Sequence, residues 1–188
     1  MRNLMVMGLA AIMLGGCGQG LGGVESPHRK LGYWEQTRTS DSASGPQVMR
    51  FCLDAASDQQ LPVLGRKPRR AGACQTWTVT KTDAGYVTDA ICSFGEARMT
   101  RHTVLSGDFN SGYTAKTTVT IEGASDPARN GVHQATLTAV YKGACPPDLA
   151  PGQAQLPDGS VVSMAEMRGG FGGGGRGGGG GGGGGGPG

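Results

Sequence analysis

Tyr113-Thr114-Ala115-Lys116-Thr117-Thr118-Val119-Thr120-Ile121-Glu122 decides the fold class. Tyr113, Ala115, Thr117, Val119 and Ile121 fall on one side of an extended chain; Thr114, Lys116, Thr118, Thr120 and Glu122 fall on the other. Such a period of two suits a strand with one buried and one wet face. Ala135, Leu137, Ala139 and Tyr141 repeat it against Gln134, Thr136 and Thr138.

Strand patterns continue outward from this pair. Tyr33 to Thr39 and Gln47 to Cys52 flank the turn-rich stretch Ser40 to Pro46, and Gln75 to Thr82 and Tyr86 to Ser93 flank Asp83-Ala84-Gly85. A short helical turn is expected from Asp54, a capping residue, to Gln60, with Pro62 ending it. Pro146 to Pro157 reads as loop, and Gly159 to Met167 as a short edge element. With no long helical period, the fold class is all-β: an antiparallel meander of about seven strands forming a curled sheet, a sandwich or an open barrel. The domain is expected over 31–167. Seventeen of the last twenty residues are glycine, too little apolar surface to offset ordering, so 168–188 is expected to be a disordered poly-Gly tail.

The other end carries a different signal. Arg2 is followed by an apolar run from Leu4 to Leu14, then by Gly15, Gly16 and Cys17. The run is about eleven residues, against roughly twenty for a membrane span, so it predicts a signal peptide over 1–16. Leu14-Gly15-Gly16-Cys17 resembles the bacterial lipobox, which implies lipidation (diacylglyceryl and palmitate) at Cys17. Several acyl chains on one residue anchor stably where one does not. Gly18 after the cysteine resembles the default class sorted to the outer membrane, facing the periplasm. Gly18 to Arg29 has no period and reads as a flexible tether, so 17–30 links anchor to domain with a reach on the order of 20 Å.

A net charge of +3 is too small for a nucleic-acid binder. Low aromatic content, at 5%, implies a small core that needs staples. Export would place Cys52, Cys74, Cys92 and Cys145 in an oxidising compartment. Four cysteines allow three pairings. A hairpin closed at Asp83-Ala84-Gly85 sets Cys74 opposite Cys92, which leaves Cys52 for Cys145. No Cys-x-x-Cys pair supports zinc, and no metal or cofactor is expected.

Gly32-Tyr33-Trp34-Glu35 followed by Cys52-Leu53, then Cys74 and Cys92, Ser106-Gly107-Asp108, and Gly143-Ala144-Cys145-Pro146 resemble the DUF3617 family of small exported bacterial proteins. The likeness runs from Leu31 to Val162. One departure is Asp54-Ala55-Ala56 after Leu53, where the family often has a Thr-Pro-Glu-like helix start. Membership implies an envelope location and a β-rich fold, and it brings no activity.

Catalytic signals are weak. His28, His102 and His133 lie in separate segments, with no Gly-x-Ser-x-Gly or His-Glu-x-x-His pattern, and read as surface residues. Met99, Met164 and Met167 are isolated and suit core filling better than copper. Arg66, Lys67, Arg69 and Arg70 form one basic run that suits an anionic membrane surface at about 1 kcal/mol per charge, although a solvated loop is the plainer reading. The glycine tail with Arg176 suits a passive tail better than RNA binding. The expected function is a non-catalytic envelope lipoprotein, an interaction or structural module, with a membrane contact, an unidentified envelope protein or lipid partner and no nucleic acid. A carrier of an apolar small molecule or lipid is the alternative. A wide cavity lined by Val119, Ile121, Leu137 and Tyr141 favours the carrier, and a filled interior the module.

Overall fold

The computed structural model describes residues 24–65 and 73–170. The predicted signal peptide, Cys17 and the Arg66, Lys67, Arg69 and Arg70 run lie outside these residues, as does the tail from 171. In chain order the elements are β1 (Gly32–Ser40), β2 (Gln47–Leu53), α1 (Ala55–Gln60), β3 (Cys74–Thr82), β4 (Gly85–Phe94), β5 (Ala97–Gly107) and β6 (Gly112–Glu122). After a 3-10 turn at Pro127–Arg129 come β7 (Gly131–Gly143), β8 (Gln153–Gln155), β9 (Val161–Ser163) and α2 (Met164–Gly170).

All the strands among the described residues join one sheet in the order β3-β4-β5-β6-β7-β1-β2-β8-β9. Each neighbouring pair is antiparallel. The all-β antiparallel expectation holds, with a continuous meander from β3 to β7. Of the expected forms the curled sheet is correct; among the described residues there is no second sheet to make a sandwich, and β3 and β9 stay at opposite edges rather than closing a barrel. The curl follows from the core. β2 and β3 are six places apart, a separation of about 29 Å in a flat sheet. Yet Met49 of β2 and Val79 of β3 pack against the same buried cluster.

The sheet exceeds the expected seven strands because β8 lies inside the predicted 146–157 loop and β9 inside the predicted edge element. Ala154 of β8 is fully buried opposite Phe51, so burial of one residue selects this strand where no sequence period marks it. The closing helix α2 also runs to Gly170, past the expected boundary at Met167. The expected helical turn forms as α1. Asp54 Oδ1 accepts from the Ser57 amide at 2.7 Å, and Ser57 Oγ bonds back to the Asp54 amide at 2.9 Å. This reciprocal cap satisfies two amides that a short helix leaves open. The Ser57 hydroxyl, foremost, holds the Asp54 carboxyl below its usual value.

The core sits on the inner face of the curl, joined by Leu61, Val63 and Leu64 after α1 and by Met164 and Met167 of α2. Trp34 and Phe51, direct partners on β1 and β2, are its fully buried centre. The indole Nε1 donates to the Lys30 carbonyl at 2.8 Å, which removes the polar cost of burying it. Tyr141 meets the Trp34 ring edge-on at 5.6 Å between centroids. Phe109 joins from the loop between β5 and β6 at a left-handed φ of 59°. That conformation costs a bulky residue about 1–2 kcal/mol. Asp108 imposes it by accepting from the Asn110 amide at 2.8 Å and the Ser111 amide at 2.7 Å. The loop thereby turns Phe109 inward onto Tyr86 and Tyr113, which gives Ser106-Gly107-Asp108 a structural role.

Both expected disulfides form, Cys52–Cys145 and Cys74–Cys92. The second depends on a feature beyond the turn. Thr82 pairs with Gly85 and Trp77 with Ala90, a register that alone sets Cys74 against Ser93. A shift between Cys74 and Thr76 moves Cys74 opposite Cys92. The first bridge holds the return path: after β7 the chain must cross β1 and β2 to reach β8, and Cys145 is tied to β2 on the way.

The N-terminal boundary needs correction. The tether was expected to run free to Arg29, but residues from Ser26 onward are bonded to the domain. Ser26 Oγ accepts from the Leu64 amide at 3.5 Å, and the Lys30 amide donates to the Phe109 carbonyl at 2.9 Å. Arg29 is buried at 7% exposure, its Nε donating to Asp58 Oδ1 at 2.8 Å and its Nη2 to the Leu61 carbonyl at 2.6 Å.

Candidate functional site

Strand register arranges the inner face in rows across the sheet. Leu137, Ala115 and Leu105 are successive partners on β7, β6 and β5, and all three belong to or pack against the core. Two residues along each strand, the next row holds Ala135, Thr117, Thr103 and Thr88. The Thr103 and Thr117 hydroxyls bond each other at 3.0 Å, so this row is polar but partly self-satisfied. A third row runs His133, Val119, Arg101, Ala90 and Trp77. The inner face thus grades from apolar, through hydroxyl, to cationic.

Two hollows follow this gradient. The outer is a half-open trough of about 320 Å³, with Ala115, Val119, Ala135 and Leu137 in its floor and Arg38, Asp41, Arg101 and His133 as its charged or titratable lining. The inner is a recess of about 220 Å³ bounded chiefly by Met49, Phe51, Leu105, Met164 and Met167. Ala115 and Leu137 line both, so the two are neighbours. A larger hollow of about 480 Å³ beside the β1–β2 turn, lined by Arg38, Gln47 and the turn residues between them, is mostly polar and lacks an apolar floor. The cavity face expected from the sequence is therefore half right. Val119 and Leu137 line the trough, whereas Tyr141 packs against Trp34 in the core and Ile121 lies one row beyond.

Arg101 is the unusual group of the trough. Its guanidinium lies 4.9 Å from the Trp77 ring centroid, and its buried Nε has no hydrogen-bond partner among the described residues. Burial lowers its pKa from the ordinary guanidinium value. Stacking on Trp77 recovers part of the desolvation cost. Asp41, the acid in this lining, accepts from the Gln134 amide at 2.7 Å.

The other candidate residues do not converge. His28 Nδ1 lies 2.8 Å from Asp58 Oδ2, His102 Nδ1 lies 2.7 Å from Asp89 Oδ1, and His133 Nε2 lies 3.1 Å from the Arg129 carbonyl. Met164 and Met167 belong to the core, while Met99 packs by the Cys74–Cys92 bridge. Among the described residues, no group of three or more His, Cys, Asp or Glu is placed to hold a metal. Arg101 and Trp77 were not singled out by sequence. Their only signal was inner-face parity, since Arg101 lies two residues from Thr103 on a strand whose outward face carries Thr100, His102 and Val104.

These features define a small protein of one curled antiparallel sheet, stapled by two disulfides, with a graded inner face. The chain belongs to the DUF3617 family, described as a protein of unknown function, whose family model matches residues 29–145. The match starts at the buried Arg29 and stops at Cys145, so β8, β9 and α2 lie beyond it. No curated protein and no solved structure matches the chain.

Proposed function

We propose that the chain is a non-catalytic lipoprotein of the cell envelope, anchored at Cys17 and working by binding through the inner face of its sheet. The anchor reading is supported by Leu14-Gly15-Gly16-Cys17 behind a short apolar run. Among the described residues, no helix is long and apolar enough to cross a membrane. The tether that remains, Gly18 to Glu25, would keep the domain near the outer membrane on the periplasmic side. Arg66, Lys67, Arg69 and Arg70 would favour anionic headgroups, an attraction that salt screens.

Between a filled module and a carrier, one observation favours the carrier. The trough over Val119, Ala135 and Leu137 is half open and shares Ala115 and Leu137 with a neighbouring, largely apolar hollow. Hollows of this combined scale, on the order of 300–1,000 Å³, suit small molecules. Fractionation tests the anchor separately from the ligand. Cys17→Ser is expected to move the protein from the membrane to the soluble fraction and to abolish labelling by radioactive palmitate. Unchanged membrane attachment of that variant refutes the lipoprotein reading.

A further inference from the structure

Resting on the carrier reading, we infer that the inner face binds a single-chain amphipathic carboxylate, a long-chain fatty acid, with its carboxylate at Arg101 and Arg38 and its tail in the methionine-lined recess. The charge of the ligand follows from the trough. Arg101 and Arg38 both line it, and neither has a carboxylate within ion-pair distance among the described residues. Asp41, which shares the lining, is engaged by a backbone amide. An anion entering the trough supplies the counter-charge to a guanidinium whose buried Nε has no hydrogen-bond partner among the described residues. Charge-assisted bonds of this kind are the strong ones, and a carboxylate matches the guanidinium fork.

The tail follows from the neighbouring hollow. Leu105 lies four residues from Arg101 along β5, about 13 Å at the rise of an extended strand. A short acid anchored at Arg101 stops over the threonine row; a long acyl chain passes Ala115 and Leu137, which line both hollows, and enters the recess. Met49, Met164 and Met167 there are flexible and polarisable, well suited to enclosing a chain without fixed shape. Arg29, the cation bordering the recess, is already paired with Asp58, so the inner end carries no free charge to compete for the head. The binding step is noncovalent, with no bond made or broken.

Titration of the full chain bearing Cys17→Ser tests this with three probes: palmitate, methyl palmitate and hexanoate. Trp77 beneath Arg101 reports on the trough by fluorescence, while the other tryptophan, Trp34, stays in the core. Palmitate is expected to bind with one-to-one stoichiometry. Methyl palmitate, without the charge, and hexanoate, without the tail, should each bind at least about tenfold more weakly. Arg101→Met should weaken palmitate by a similar factor and leave the melting temperature unchanged or higher, because it removes a buried polar atom that has no partner. Arg38 is exposed, so Arg38→Met offers a second variant with little bearing on folding, and it should weaken palmitate several-fold. Absence of palmitate binding overturns the inference, as does equal affinity for the methyl ester or unchanged affinity in both arginine variants. None of these results alters the outcome of the fractionation experiment, so ligand and anchor fail separately.

Discussion

Replacing Cys52 and Cys145 together with Ser is expected to cost the domain about 4–5 kcal/mol, a large share of the stability of a domain of this size. The two residues are 93 apart in sequence, so their bridge removes far more freedom from the unfolded chain than Cys74–Cys92, which spans 18. The shorter bridge should cost about 3 kcal/mol when lost. Position adds to the asymmetry. Cys52 accepts a 2.8 Å bond at its carbonyl from the Gly152 amide, so the same stretch that carries the bridge also receives the returning chain before β8. Urea unfolding of the two double variants under non-reducing conditions measures the difference. A Cys52/Cys145 variant as stable as the Cys74/Cys92 variant would show that the return path is held by packing alone.

Asp58→Ala is expected to cost about 3–5 kcal/mol, because it strands a buried guanidinium. Both partners are close to fully buried, with side-chain exposures of 5% for Arg29 and 4% for Asp58. The carboxylate also receives the Arg29 amide at 3.4 Å and faces His28, so one residue of α1 fastens the entry of the chain into the domain. Replacing both members with apolar residues of similar size, Asp58→Leu with Arg29→Met, should restore most of the loss, since a buried pair is close to break-even against packed hydrophobes. Thermal melts of the single and double variants decide the matter. A single variant within 1 kcal/mol of the parent on the scale of such pairs means water reaches Arg29 freely.

Much of this architecture is readable from local chemistry. Tyr113 to Glu122 alternates because one sheet face meets the core and the other meets water, and the structure keeps that parity. The Asp54 cap and the Asp83-Ala84 turn are short-range decisions made by neighbouring residues, and both are legible. The Cys74–Cys92 pairing was anticipated, although the register shift beside Cys74 that completes it is a backbone event without a residue signature. β8 and β9 are three residues each, too short for any period to emerge. The Arg29–Asp58 pair joins positions 29 apart, and neither member's surroundings advertise burial. For that reason Arg29 looked like tether.

The inner face was half legible for a related reason. Alternation assigns Val119, Ala135 and Leu137 to one face, but it cannot say where along the strands the cover ends. That boundary is tertiary. Leu61, Val63 and Leu64 after α1 and Met164 and Met167 of α2 join the cluster that holds Trp34, and the row containing Arg101 lies two rows past Leu105 of that cluster. An arginine at an inward position reads as an interruption of the pattern until its neighbours are known. Here they are Trp77 on one side and an apolar trough on the other.

Whether the inner face of this sheet carries an amphipathic acid is decided by native mass spectrometry of the full chain with Cys17→Ser, recovered from the periplasm without detergent. The expected result is a species heavier than the disulfide-bonded protein by one long-chain carboxylic acid, and loss of that species in Arg101→Met. Protein that emerges at its bare mass from the same preparation, and stays bare after incubation with palmitate, contradicts it.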